Sequence, residues 1–324
     1  MEKGFCDVVA LGELLVDFTE NGKSGQGNPL LEANPGGAPC NVLAMLQKLG
    51  CRTAFIGKVG KDSFGGMLRD AIQECGIDAS GLLFDDEIPT TLAFVHTAED
   101  GDRSFSFYRK PGADVMLREE EIPEELIASG RLFHFGTLSM TDGEVERATR
   151  RALAVAKENK LLVSFDPNLR LLLWRSPGDA REKMAYGMSQ CDILKISDDE
   201  IYFFTGEEEI EAGIRQIRER FPVKLICATL GKNGSIAYYD DLRVGCEPFL
   251  QEKTIETTGA GDTFMGCILH GVLKNGIDGL CKEQLLEMLT VANAGASLIT
   301  TRKGALKVMP EYEEICELRK QNGR

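Results

Sequence analysis

The feature that most constrains this chain is its rhythm. From Leu132 onward, short apolar runs alternate with longer amphipathic ones: Leu132–Phe135, Asp142–Glu158, Leu161–Phe165, Asp179–Met188, Ile193–Ile196, Glu208–Phe221 and Leu225–Thr229. Runs that are apolar on consecutive residues fit strands buried on both faces, and runs apolar every three or four residues fit helices. Repeated strand–helix units predict an α/β domain whose central sheet is mostly parallel and flanked by helices on both faces. The same rhythm opens the chain: a strand over Phe5–Gly12, a helix over about Ala38–Leu49, strand Thr53–Val59 and helix Ser63–Cys75. It closes with a Ser235–Tyr239 hairpin and helices over Ala260–Leu273, Lys282–Ile299 and Glu311–Lys320.

Two segments break the rhythm. Leu14–Glu20 and Leu30–Asn34 read as short strands around the polar loop Asn21–Pro29, and Thr91–Thr97 and Arg103–Arg109 alternate with period two around Glu99–Asp102. The second pair is a hairpin signal. Residues about 14–35 and 88–110 therefore predict a small β-sheet lid made by two insertions in a single domain that spans residues 1–324. An exposed sheet with an apolar side carrying Phe94, Phe105 and Phe107 needs a partner surface, so a homodimer through the lid is expected.

Composition excludes several classes. With 324 residues, 43% hydrophobic, the chain can bury one large core. A formal net charge of −14 argues against a surface that binds a phosphate backbone, so no nucleic-acid partner is expected, and any anion must be bound locally. The ten cysteines are scattered, without a CxxC pair or zinc-ligand spacing, and read as reduced packing residues. No apolar run approaches the roughly 20 residues that span a bilayer, so no membrane partner is expected and the default location is cytoplasmic.

The chemistry concentrates in Glu256-Thr-Thr-Gly-Ala-Gly-Asp-Thr-Phe-Met-Gly266, where a glycine-rich turn runs into a helix. Gly259 and Gly261 permit backbone angles that aim successive N–H groups, with those of Ala260, into one concavity, and the helix dipole adds positive potential. Asp262 stands in the first helical turn beside this anion cradle, where a base would take a proton from a hydroxyl attacking a held phosphate. Its competing reading is an ordinary capping aspartate. As a carboxylate at a helix N-terminus, it is expected to have a lowered pKa.

Other candidates fall at strand ends, where open parallel sheets gather ligands. Asp17 follows the first strand and could hold two hydroxyls of a sugar. In Gly36-Gly37-Ala-Pro-Cys-Asn41 the glycines let a ligand approach the backbone, and Asn41 offers both a donor and an acceptor. Arg109 ends a lid strand and could swing a five-donor fork over a hydroxylated ligand. Asn168 and Arg170, in Asp166-Pro-Asn-Leu-Arg170, follow another strand and could reach phosphate oxygens. Each has a bland alternative in a strand end, a tight turn or a surface arginine.

Taken together these strings resemble the ribokinase-like (PfkB) carbohydrate kinase family over nearly the whole chain. Phe107-Tyr-Arg109, Ala113-Asp114, Phe133-His-Phe-Gly136, the Asp166–Arg170 run and Leu173-Trp174 are similar to the fructokinases of that family. The resemblance implies a ribokinase-like fold and ATP-dependent phosphorylation of a sugar such as fructose at its 6-hydroxyl, with ATP and Mg²⁺ as cofactors. It implies a sugar held by Asp17, Gly36, Gly37, Asn41 and Arg109, with Asp262 as base. Lys195, Ser197 and Glu200 resemble the family's Asn-x-x-Glu element, whose glutamate organises Mg²⁺ through water; serine stands in place of the usual asparagine, as in fructokinases. Thr229, Gly231 and Gly234 resemble its nucleotide loop, and Asn293 a residue beside the adenine. Glu256 and Thr258, with the Arg302–Gly304 loop, resemble a monovalent-cation site in which aspartate is more usual than Glu256, which leaves K⁺ dependence open. Kinases for 2-keto-3-deoxygluconate or ribose, and an inactive sugar-binding protein, are the alternatives. No GxxxxGK[ST] occurs, and no GxGxxG follows the first strand, which sets aside P-loop kinases and Rossmann dehydrogenases.

Overall fold

A computed structural model of the protein describes residues 6–97 and 103–324. Its strands are β1 (Val8–Leu11), β2 (Leu15–Lys23), β3 (Pro29–Gly36), β4 (Thr53–Gly60), β5 (Asp78–Asp85), β6 (Leu92–Thr97), β7 (Arg103–Tyr108), β8 (Leu132–Gly136), β9 (Leu162–Asp166), β10 (Ile193–Ser197), β11 (Leu225–Thr229), β12 (Ser235–Tyr239) and β13 (Leu242–Cys246). The helices are α1 (Ala38–Lys48), α2 (Ser63–Glu74), α3 (Glu124–Ala128), α4 (Gly143–Glu158), α5 (Pro177–Gln190), α6 (Asp198–Thr205), α7 (Ile210–Arg220), α8 (Ala260–Asn275), α9 (Lys282–Ile299) and α10 (Tyr312–Gln321).

Nine strands form the main sheet in the order β13-β12-β11-β10-β9-β8-β1-β4-β5. All neighbours from β11 to β5 run parallel, and β12 and β13 close one edge antiparallel. Side chains alternate between two cores, as the pleat requires. Val8 and Ala10 enter the core shared with α1, α8 and α9, and Val9 and Leu11 enter the one shared with α4, α5 and α7. The architecture is the expected α/β arrangement.

Strand β5 and helices α3 and α6 were not legible. The sheet's outer strand β5 has a mixed burial pattern, because an edge strand packs incompletely and lacks a continuous apolar run. Helix α6 is short and precedes the expected Glu208–Phe221 helix; Ser197 caps it, Glu200 completes the capping box, and Gly206 at φ 77° ends it.

The smaller sheet has the order β3-β2-β6-β7, with β2 and β6 parallel. The three phenylalanines do not share one side. Phe107 opposes Ala93, whereas Phe94 opposes Ser106, so the pleat sends Phe94 and Phe107 to opposite faces. Phe94 stacks on Phe18 at 5.0 Å and meets Tyr108 at 5.3 Å, and Phe18 packs edge-on against Phe64 of α2. The turn at Glu99–Asp102 and the side chain of Phe105 lie outside the described residues.

Candidate active site

The parallel strands end side by side. Leu11 pairs with Phe135, Gly136 with Asp166, and Ser197 with Thr229, so the loops after β1, β8, β9, β10 and β11 form one row along the sheet. A cavity of about 410 Å³ lies between that row and the small sheet. Asp17, Asn34, Gly36 and Phe107 line it from the small sheet, and Asn41, Asn168, Arg170, Lys195, Glu256, Thr258, Gly259, Gly261 and Asp262 from the main domain.

The start of α8 forms its floor. Gly259 is the N-cap at φ 78°, a left-handed conformation that favours glycine, and no side chain occupies the cap. A Cβ on Gly259 would lie 2.8 Å from Ala305 Cβ, and one on Gly261 would lie 2.9 Å from Lys195 Nζ. Both glycines thus leave room for neighbours to close on the first turn of α8, where Gly259 and Gly261 line the cavity and the Ala260 N–H is taken by the Thr257 carbonyl at 3.2 Å; a helix start of this kind favours an anion.

Asp262 is buried, and its Oδ2 accepts a 2.8 Å hydrogen bond from Asn41 Nδ2. Its pKa is raised to about 6, against the lowered value expected at a helix start. Burial is the largest cause and the Asp166 charge adds to it; the Asn41 bond, Lys195 and Arg170 pull the other way. The dipole is outweighed because the carboxylate has lost most of its water. Asn41 Oδ1 is buried without a partner among the described residues, which leaves an acceptor for a ligand hydroxyl.

Lys195 Nζ donates to both oxygens of Asp166, at 3.0 and 2.9 Å, across neighbouring strand ends. Burial works against its charge, but Asp166 and Glu200 outweigh this and raise its pKa, so the ammonium persists beside the cradle. Asp17 is raised to about 7, first by burial and then by Glu256 and Asp262, with Arg170 opposing. A Cβ on Gly36 would sit 2.5 Å from Asp17 Oδ2, and one on Gly37, at φ 140°, would sit 2.3 Å from the Glu13 carbonyl oxygen. Asn168 is left-handed at φ 43°, and its N–H bonds Asp166 Oδ1, which turns the chain so that Arg170 faces the cavity.

Glu200 has both oxygens engaged: Oε1 accepts from Leu169 N–H at 2.8 Å and Oε2 from Ser197 N–H at 2.9 Å. It ties the Asn168–Arg170 turn to the start of α6. Thr229, Gly231 and Gly234 do not line the cavity but continue the row of strand ends beyond Ser197. Asn293 lies further along, where it accepts from Ser235 Oγ and donates to the carbonyls of Cys246 and Glu247. Its amide is thereby committed to joining α9 to β12 and β13. Glu256 Oε1 accepts from Gly304 N–H, joining the segment before the cradle to the 302–304 loop.

Arg109 does not reach into the cavity: its guanidinium is buried against Asp114, Thr141 and the Leu138 carbonyl, because a buried charge is held by whatever neutralises it. Arg170 is the arginine that lines the cavity. Among the lining residues that escaped the sequence reading is one acid. Glu13 is buried, accepts from Ala38 N–H at 2.9 Å and is raised to about 7 by burial. Its place at the exit of the first strand was the available signal.

The model for pfkB family carbohydrate kinases matches residues 6–311. Fructokinase-1 of Zea mays is 39% identical over 313 residues, covering 96% of this chain and 97% of that protein. A fructokinase from Xylella fastidiosa, solved with bound ATP, superposes with a TM-score of 0.89 at 28% identity, over 98% of this chain and 99% of the other. A double mutant of a fructokinase from Vibrio cholerae, solved with fructose, ADP and a potassium ion, gives 0.86 at 31%, over 98% and 99%. With its family model matched nearly end to end, the chain belongs to the pfkB family of carbohydrate kinases.

Proposed function

We propose that the protein is an ATP-dependent fructokinase that transfers the γ-phosphoryl group to the 6-hydroxyl of D-fructose, giving fructose 6-phosphate and ADP. The observation that carries this reading is Asp262, held by Asn41 beside the α8 cradle, inside a cavity walled by the small sheet. Likeness to the maize enzyme over nearly the whole chain supports the choice of sugar.

Asp17, the Gly36–Gly37 backbone and Asn41 hold the sugar hydroxyls. The γ-phosphate sits over the amides of Gly259, Ala260 and Gly261, facing Lys195, with Arg170 and Asn168 closing on its oxygens. Asp262 orients the 6-hydroxyl and accepts its proton as the new O–P bond forms and the bond to ADP breaks. At a pKa of about 6, about nine-tenths of Asp262 is ionised at neutral pH, enough for a base that receives its proton late in a loose transition state. Alignment and the positive cradle supply the larger share of the rate.

The nucleotide extends along the row from Ser197 through Thr229 to the Gly231–Gly234 turn, toward Asn293. Glu200, with both oxygens anchored by amides, fits an outer-sphere hold on the Mg²⁺ of MgATP, which supplies charge neutralisation on the phosphates. Glu256 and Thr258 are the residues proposed for a monovalent cation, and the similar fructokinase of Vibrio cholerae was solved with a potassium ion. Ten free cysteines suit a reducing compartment, which supports a cytoplasmic location, and among the described residues no helix is long and apolar enough to cross a membrane. The outer face of the small sheet, with Leu31 and Tyr108 exposed beside Phe94, supports a homodimer through this sheet. Light scattering that finds only monomer at micromolar concentration refutes the dimer.

The functional test is coupled ADP release with MgATP and equal concentrations of fructose, ribose, 2-keto-3-deoxygluconate, adenosine and glucose. Strong turnover on fructose is expected. Turnover on another acceptor alone refutes the sugar assignment and keeps the kinase, and silence on all five refutes the enzyme.

A further inference from the structure

The base of the small sheet holds a buried polar cluster that the phosphoryl-transfer chemistry does not use. Arg109 follows β7 directly, and Thr91 directly precedes β6, so together they mark where the hairpin joins the main domain. Arg109 Nε donates to Asp114 Oδ2 at 2.7 Å, Nη1 to Thr141 Oγ1 at 2.9 Å, and Nη2 to the Leu138 carbonyl at 2.9 Å. Thr91 Oγ1 donates to the other Asp114 oxygen. The arginine and aspartate side chains are 4% and 1% exposed. Space here is fully taken: a Cβ on Gly112 would fall 1.8 Å from Thr91 Oγ1 and 2.9 Å from Asp114 Oδ1.

This cluster touches two walls of the sugar cavity without lining it. Phe107, two residues before Arg109, lines the cavity from the small sheet, and Leu138, whose carbonyl Arg109 holds, lines it from the turn after β8. Asp114 is not a lining residue. We propose that Asp114, acting through Arg109, is a positioning residue for sugar binding: the ion pair fixes the β7 wall carrying Phe107 against the Leu138 wall, and so sets the width of the cavity. A buried pair seldom adds net stability over an apolar replacement, but it dictates one geometry, because any displacement leaves a charge unpaired. Arg109 thereby governs fructose affinity from outside the cavity. This inference rests on the fructokinase reading only for the identity of the sugar.

The test compares Asp114→Asn, Arg109→Lys, their combination and Thr141→Val with Lys183→Met, which breaks a remote pair with Glu146 between α4 and α5. The wild type is first assayed on the acceptor panel, and KM is then followed for whichever sugar it phosphorylates, so an error in the sugar does not obscure the result. Asp114→Asn and Arg109→Lys are each expected to raise the sugar KM about tenfold with kcat and the ATP KM nearly unchanged, and the double variant to be no worse than either single one. Thr141→Val, which removes only one acceptor, should raise the sugar KM about threefold, while Lys183→Met lowers the melting temperature and leaves KM alone. A KM that responds to Arg109→Lys but not to Asp114→Asn or Thr141→Val makes Arg109 a direct sugar ligand and overturns the proposal. Unchanged KM in all three does the same. Should Asp114→Asn fail to fold, Thr141→Val alone decides between these outcomes.

Discussion

Replacing Asn41 with alanine tests how the base is set. The substitution removes the 2.8 Å hydrogen bond from Asn41 Nδ2 to Asp262 in a site that excludes most water. A hydrogen bond to a charged acceptor contributes about 1.5–3 kcal/mol. At 1.36 kcal/mol per pKa unit, its loss destabilises the ionised form by about 1–2 units. The Asp262 pKa, already raised to about 6, then moves to about 7–8. The sign is definite, because Asn41 stabilises the carboxylate and its removal favours the acid. The assay is kcat/KM for fructose between about pH 5 and pH 9, with coupling enzymes in excess at every point. In the wild type the acidic limb reflects Asp262 and Asp17 together, since the two carboxylates interact, so the displacement of the limb is the quantity to read. The variant's limb should shift upward by about one unit or more, and activity should recover toward alkaline pH. A limb that superimposes on the wild type, with kcat/KM lowered equally at every pH, refutes the reasoning and leaves Asn41 as a sugar contact alone.

Two further predictions concern the buried carboxylates Asp262 and Glu13. Asp262→Asn should lower kcat by roughly two to four decades while sugar binding, followed by calorimetry, stays close to wild type; wild-type turnover would remove Asp262 from the mechanism. Glu13→Gln should stabilise the protein in alkaline buffer. The folded pKa of Glu13 is raised from 4.5 to about 7, so its stabilising contribution is complete below the unfolded value and is lost as pH rises through the folded one. Glutamine keeps an acceptor for Ala38 N–H without that loss, which predicts a melting temperature higher by about 2–6 °C at pH 8 and no gain near pH 4. Equal melting curves at pH 8 would sink it.

The main sheet was legible because its strands are buried on both faces and so read as continuous apolar runs between amphipathic helices. β5 escaped because it lies at the edge, where only two of its eight residues are fully buried. The cradle was legible for a local reason: Gly259, Gly261 and Asp262 act through backbone geometry that adjacent residues determine. The surroundings of Arg109 were not legible because a sequence shows that an arginine ends a strand but not which carboxylate it meets, here Asp114, five residues on. The Asp262 pKa was misjudged for a related reason. A helix start is visible in sequence, whereas its burial depends on the small sheet and on Asn41, contributed from the other end of the chain.

The small sheet's connectivity bears on how the molecule comes into being. β2 pairs in parallel with β6, yet β3, α1, β4, α2 and β5 lie between them in the chain. Early in synthesis β2 and β3 form an isolated hairpin, which is marginal in water. Its partners are brought alongside only when the intervening layer has docked and the long loop has been closed. The cavity is therefore expected to be completed after the main sheet. After dilution from denaturant, fructose-dependent activity should return after the helical signal, so refolding yield measured by catalysis reports the final step of the process.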